Sequence, residues 1–516
     1  MTRRAYLILA GIGLLISIVM IALRDIPGYT DAYYYYNAGA KLADGDGLTD
    51  MYLWNYVNAP EKLPTPSHRY WMPFASIVAA VPMALLGTQF QVAAIAFVPF
   101  YIGLACLAMW QGARFGKSRR HAWVAGLSVL FGGMYFPFYL TTDTFVLFGF
   151  WGAVVLIAFG HGRETHRWQW FALAGLCSAL AHWTRADGLL FLLVGLIVLW
   201  WPHYGSPETD PTLRTKGKNS VIFLISYLLT MLPLFIRNLN AFGSPLPTGG
   251  IGTAFLKGYN DLFSYPAEWP VSEFLDWGAG NVIQSRLEGI TGALGTWLVV
   301  EGFVFLTPLA LYALWKRRHE AFFMGVIWYA LGLHIAMSLV FTYPGIRGGL
   351  FHSSAALLPF WAALGLVGLD DLIAWFAKLR KWNTREAQTV FGTAVLLLPL
   401  AIGLWALSQQ SQGWNEPELN KYVENLPENA RLMVNDPAEW YYYTERIGVT
   451  LPDESLETAY EIARRYCIQY LIIDENITDP FVPLFEKKES PPPFLTEIQT
   501  FEEGVQVYEF DVICPP

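Results

Sequence analysis

Charge is scarce in this chain. Lys, Arg, Asp and Glu make up only 15% of its 516 residues, against 54% hydrophobic residues and 21 tryptophans. A soluble domain carries about 25% charged residues, so an ordinary soluble enzyme or nucleic-acid binder is excluded. The sequence also lacks a Walker loop, a CxxC pair, an HExxH zinc site, internal repeats and low-complexity tracts, which argues against ATPase, redox and zinc-protease chemistry. Cysteine is sparse too. Cys106 and Cys177 lie in apolar runs and read as packing residues, whereas Cys467 and Cys514 fall in the tail, where an exterior location permits a disulfide without requiring one.

What the chain has is long apolar runs. The first, AYLILAGIGLLISIVMIALR, follows a short basic start and has no small-residue cleavage site, so it reads as a retained anchor with a cytoplasmic N-terminus. Ten further spans are expected near 91–111, 122–139, 144–160, 170–183, 188–202, 220–236, 297–315, 321–341, 353–374 and 389–407. The stretch MPFASIVAAVPMALLG (72–87) is short and carries Pro82, and is expected to lie on the outer surface. With that choice the inner side, including the basic loops 114–121, 161–167, 203–219, 316–320 and 378–386, holds 18 Lys and Arg against 9 outside, as the positive-inside rule requires. The expected fold is therefore mostly α: a polytopic helical membrane protein of about eleven spans in a plasma (inner) membrane.

Two long outer loops (24–90 and 237–296) and a tail (408–516) then face the exterior. The tail holds 21 of the 42 Asp and Glu but 7 of the 34 Lys and Arg, which sets it apart from the body at 1–407. Its runs alternate: RLMVND, the amphipathic ESLETAYEIARRY, the β-rich CIQYLIID, then FLTEIQTF and VQVYEF as a closing hairpin. That pattern predicts a small soluble α/β domain.

Ionisable groups near hydrocarbon are costly, so those at the outer ends of spans are the functional candidates. Asp31 opens an expected helix, DAYYYYNAGAKLADG, whose spacing puts Asp31, Tyr34, Tyr35 and Ala38 on one side. By composition Asp31 reads equally as an N-cap, and the tyrosines as interfacial anchors that hold the helix at headgroup level. Asp143 begins the fourth span on the same side, again with an N-cap reading open to it. Arg185 and Asp187 share an outer turn, Arg237 leaves a span into a Gly/Pro-rich loop, and Arg347 and His352 sit among glycines in TYPGIRGGLF. His68, in SHRYWMP, closes the first loop. Arginine suits a phosphate because its planar fork meets two oxygens at once.

In their order and common sidedness these residues resemble the GT-C superfamily of integral-membrane glycosyltransferases. The similar groups are the protein O-mannosyltransferases, the lipid A aminoarabinose transferase and the RgtA/B/C/D-like enzymes, and the resemblance spans most of 1–407. It implies transfer of a sugar, with inversion, from a polyprenyl-phosphate lipid to a glycan, lipid or protein acceptor on the outer face. Asp31 matches the early-loop aspartate that serves as general base and Asp143 the second acidic position; Arg237 or Arg347, with Arg185, His352, Tyr35 and His68 nearby, would meet the donor phosphate and substrate. The chain departs from the family in YWMPF, where many relatives carry Pro-Pro or Glu-Lys-Pro, and in GIRGGLF, where several carry Arg-Tyr. No cofactor is implied with certainty; a divalent metal is compatible with the carboxylates, and no nucleic-acid partner is expected. The competing readings are a transporter or lipid flippase, which the lack of inverted repeats disfavours, and a non-catalytic scaffold.

Overall fold

The computed structural model describes residues 1–116, 118–202, 211–247, 249–414 and 417–514. Lys117 and residues 203–210, part of the expected basic loops, lie outside the described residues. Among the described residues seven helices are long and apolar enough to cross a membrane: Arg3–Ala22 (α1), Phe90–Gly116, Phe145–Thr165, Leu213–Phe242, Ala321–Val340, Thr342–Arg380 and Thr384–Gln410. The pair Ala279–Glu301 and Leu306–Lys316, bent by 91°, is long and apolar enough only when its two helices are taken together, as a broken span or a re-entrant loop.

All eleven expected spans contain helix, but three fall short. The helices Arg119–Phe131, Trp168–Thr184 and Leu189–Trp200 have 13, 17 and 12 residues. At 1.5 Å per residue the shortest reaches about 18 Å, well below a hydrocarbon core of about 30 Å. The 122–139 run shows why: Gly132 and Gly133 take left-handed φ of 62° and 54°, which ends the helix inside an uninterrupted apolar stretch. The 72–87 stretch forms the 13-residue helix Phe74–Leu86 (α3), also too short to span. Glu301, at the 91° bend, is fully buried; it accepts from Trp361 Nε1 at 2.8 Å and lies 3.0 Å from His334 Nε2.

The tail is built around a six-stranded sheet; a separate two-stranded sheet in the 24–90 loop pairs Thr49–Asp50 (β1) with Thr65–Pro66 (β3). Tyr52–Leu53 (β2), Leu432–Val434 (β4), Gly448–Thr450 (β5), Tyr470–Ile473 (β6), Leu495–Thr500 (β7) and Gln506–Phe510 (β8) lie in the order β2-β5-β4-β6-β8-β7. The first four are parallel, and β8 and β7 form the antiparallel hairpin expected from the sequence. Burial on both faces explains the continuous apolar character of LMV and YLII. Helix Leu456–Tyr466 turns Ala459, Ile462, Ala463 and Tyr466 inward, the helical spacing read from ESLETAYEIARRY. Beyond it Cys467 is bonded to Cys514.

The edge strand β2 belongs to the 24–90 loop, pairing Tyr52 with Gly448 and Leu53 with Val449. The tail sheet is thus completed by a segment almost 400 residues earlier in the chain. Loop and tail interlock a second time through helix Thr30–Ala43 (α2), which lies against helix Pro437–Thr444 of the tail. Tyr33 and Tyr36 meet the ring of Tyr442 at 5.1 and 5.2 Å, and Asn37 Nδ2 donates to Ala438 O at 2.8 Å.

Candidate active site

The carboxyl ends of β4, β5 and β6 open onto a cavity of about 590 Å³ between the tail and the adjoining ends of the membrane helices. On the membrane side Tyr29, Asp31, Phe138, Phe145, Arg347, Phe351 and His352 line it; on the tail side Asn435, Asp436, Asn476 and Thr478 do.

Neither aspartate is a helix N-cap. Tyr29 holds that position before α2, in extended backbone and with no side-chain cap, so Asp31 is the second helical residue. Its charge faces the partly positive amino end of the helix. Thr144 occupies the N-cap position of Phe145–Thr165, and Asp143 sits one residue earlier, accepting from both the backbone N–H and the hydroxyl of Thr144. Tyr29 OH donates to Asp143 Oδ2 at 2.6 Å.

His352 joins the two carboxylates. Its Nδ1 lies 2.8 Å from Gly348 O, which turns Nε2 toward Asp143 Oδ2 at 3.3 Å and Asp31 Oδ2 at 3.9 Å. The ring is stacked on Phe145 with centroids 3.7 Å apart. Gly348 makes this local turn with φ 126°, a conformation that favours glycine and breaks the helix at Arg347.

The two carboxyl groups live in different surroundings. The side chain of Asp31 keeps 29% of its surface accessible, and that of Asp143 keeps none. Burial first, then the adjacent Asp143 charge, push Asp31 from 3.8 up to about 7, against the opposing pull of His352 and Arg185. Burial also acts to raise Asp143, but His352 together with the hydrogen bonds from Tyr29 and Thr144 outweighs it and holds Asp143 below its ordinary value. Neighbouring carboxyls driven apart in this way take separate roles as proton acceptor and fixed charge.

Among the described residues Asp31, Asp143 and His352 are also the group that could hold a metal ion, with ligand atoms within 4.8 Å of one another. Two carboxylates and an imidazole are a donor set that first-row divalent ions accept.

The remaining candidates divide. Arg347 lines the cavity with its guanidinium over the Tyr259 ring at 4.7 Å, and it forms no ion pair among the described residues. Arg185 stands just behind; its Nε is 3.2 Å from both Asp187 Oδ1 and Ser353 Oγ, and its charge lowers Asp31. Arg237 is elsewhere: it donates to Ser67 O at 2.6 Å and Leu48 O at 3.4 Å and stacks on Phe242, so it latches the first loop rather than facing the cavity. His68 is 1% exposed and stacked on Tyr35, itself 2% exposed; neither lines the cavity. The headgroup-level reading of the tyrosines also changes. Tyr33 to Tyr36 are all buried, packed on Tyr442 and Tyr443 of the tail and on His68 and Trp71 of the loop. Tyrosine fits such a seam because its ring packs while its hydroxyl finds a partner.

Three residues of the site escaped the sequence reading. Tyr29 stands four residues ahead of the conspicuous tyrosine run, Thr30 donates to Asp436 of the tail, and Asp436 caps its own helix Pro437–Thr444. The signal was the resemblance of PAEWYYYT to DAYYYYNA, two tyrosine-rich helices that pair.

No protein-family model and no curated protein matches the chain. Solved structures do. The oligosaccharyltransferase AglB of Archaeoglobus fulgidus, in complex with an inhibitory peptide and a dolichol-phosphate, superposes with TM-score 0.58 at 13% identity, covering 90% of this chain and 69% of that one. ArnT from Cupriavidus metallidurans, bound to undecaprenyl phosphate, gives 0.54 at 13% identity, covering 99% and 98%. Both are GT-C superfamily proteins. This chain shares their fold. A further structure of the Archaeoglobus protein, with Zn and sulfate, superposes at 0.56 with 14% identity over 89% of this chain and 67% of that one. The GT-C superposition covers the tail as well as the membrane body, since ArnT matches over nearly the whole length of both chains.

Proposed function

We propose that the chain is a membrane glycosyltransferase of GT-C type, moving a sugar from a polyprenyl-phosphate donor to an acceptor on the outer face, with inversion. The observation that carries this is the convergence of Asp31, Asp143 and His352 with Arg347, which has no ion-pair partner among the described residues, in one cavity whose membrane side is aromatic. The polyprenyl-phosphate ligands of the neighbours support the donor class.

The acceptor hydroxyl attacks the anomeric carbon as its proton passes to Asp31. The new carbon–oxygen bond forms while the bond to the phosphate oxygen breaks, and polyprenyl phosphate leaves with that electron pair. Asp31 suits the base because it is reachable and near neutrality in pKa, where proton transfer and the correct protonation state are best combined. Asp143 stays ionised, held by Tyr29, Thr144 and His352, and keeps the histidine aimed at Asp31. Arg347 meets the phosphate on which charge develops, with Arg185 adding positive field behind it. A divalent cation held by Asp31, Asp143 and His352 would supply further neutralisation of phosphate charge. In this reading N-terminus and basic loops are cytoplasmic and the tail, as a soluble α/β domain, is outside.

The test is transfer from a radiolabelled polyprenyl-phosphate hexose in proteoliposomes. Wild-type chain transfers label and Asp31→Asn does not; full activity in that variant removes Asp31 from the role of base.

A further inference from the structure

The cavity has two chemically different ends. Toward the membrane, Tyr29, Phe138, Phe145 and Phe351 make an aromatic wall with Arg347 at its edge. Toward the tail, Asn435 follows β4 and Asn476 lies three residues past β6, while Asn260, next to the Tyr259 whose ring Arg347 covers, comes from the 237–296 loop. None of these three side-chain amides hydrogen-bonds to another described residue, and Asn435 and Asn476 are exposed. Beside them Trp54 and Phe263 also line the cavity, their rings meeting edge to face at 5.4 Å.

An amide offers both donor and acceptor, which is what a sugar hydroxyl requires, and an aromatic face covers the apolar side of a pyranose. Loops beyond the carboxyl ends of parallel strands are the general place for ligands in open α/β sheets. No tail residue lining the cavity is cationic, and Asp436 is acidic, so nothing on that side balances a phosphate. The donor's prenyl chain must leave through the aromatic wall. Its phosphate therefore takes the Arg347 end, and the amide end is left for the acceptor.

We infer that the acceptor is a neutral saccharide, held by Asn260, Asn435 and Asn476 with Trp54 and Phe263, so that the enzyme extends glycans rather than modifying a phosphorylated lipid or a peptide. The inference rests on the transferase reading above and deepens it. The three amides come from three separate segments, and the acceptor site exists only while tail and outer loops are docked together.

The experiment uses the full chain in proteoliposomes with a radiolabelled polyprenyl-phosphate hexose and three acceptors: fluorescently tagged neutral oligosaccharides, a serine- and threonine-containing peptide, and a phosphate-bearing glycolipid. Label passes to the oligosaccharides. In Asn435→Ala/Asn476→Ala, two exposed loop positions, the oligosaccharide KM rises tenfold or more while kcat and the donor KM stay within twofold. Asn260→Ala moves the same constant. Transfer to the peptide or the phosphorylated glycolipid in place of the oligosaccharides overturns the inference, and so does a rise in donor KM with an unchanged acceptor KM. Slow release of labelled sugar into water, read without acceptor, separates the two levels: its presence with no oligosaccharide transfer sinks the acceptor assignment alone, and its absence together with no transfer to any of the three acceptors sinks the transferase reading and this inference with it.

Discussion

Asp31 and Asp143 are the same residue type, both beside the amino end of a helix, and their surroundings give them opposite characters. Asp31 meets the cavity and has few donors; Asp143 is fully enclosed by a tyrosine hydroxyl, a backbone N–H, a threonine hydroxyl and an imidazole. The arginines divide the same way. Arg347 has its charge unspent in the cavity, whereas Arg237 has committed its guanidinium to loop carbonyls. In the proposed mechanism, what separates catalytic from structural use is not residue type but how completely the fold has already satisfied the group.

The sharpest way to break the first contrast is Asp31→Asn. It should lower kcat about 10²- to 10⁴-fold, the usual worth of a positioned base, with the donor KM little changed. Next, Arg347→Ala should cost about 10²- to 10³-fold in kcat, as expected for one group aimed at developing charge; a change confined to donor KM would make it a binding residue only.

Asp143→Asn sharpens the comparison through pH. A base must be deprotonated, so wild-type kcat/KM should rise as pH increases through about 7. The Asp143 charge raises Asp31, so its removal should move that limb to lower pH; an unmoved limb would uncouple the two carboxyls. Arg237→Ala should leave kcat within a few-fold and lower stability by about 1 to 3 kcal/mol, read as thermal unfolding in detergent, because Ser67 O and Leu48 O lose a charged donor. The smallest effect is expected for Tyr443→Phe, which removes one hydrogen bond to Tyr33 at 2.9 Å and should cost about 1 kcal/mol without moving the pH profile.

The helical body was legible because apolar runs must become helices in lipid, where every backbone group has to be satisfied locally. Span lengths were less so: hydropathy does not register the left-handed turn at Gly132 and Gly133 that shortens the 122–139 run. In the tail, β4, β6, the closing hairpin and helix Leu456–Tyr466 were readable from local periodicity. Strand β2 was not, since two residues of loop carry no pattern and pair only when the tail arrives. In the candidate site Asp31, Asp143, Arg347 and His352 stood out as charge that a membrane boundary tolerates poorly, and the structure brings them together. Arg237 and His68 carried the same signal and fold into the loop support instead.

From the sequence alone came the class of protein, the alternation of the tail and a short set of charged candidates, because these depend on transfer from water and on local periodicity. The tertiary structure decided which candidates share a cavity and which are already used. It also turned YTDAYYYYNAG from a membrane-interface segment into the seam between body and tail. Such choices rest on contacts between residues more than 400 positions apart, such as Thr30 with Asp436 and Tyr33 with Tyr443, and no local property of either segment encodes the other.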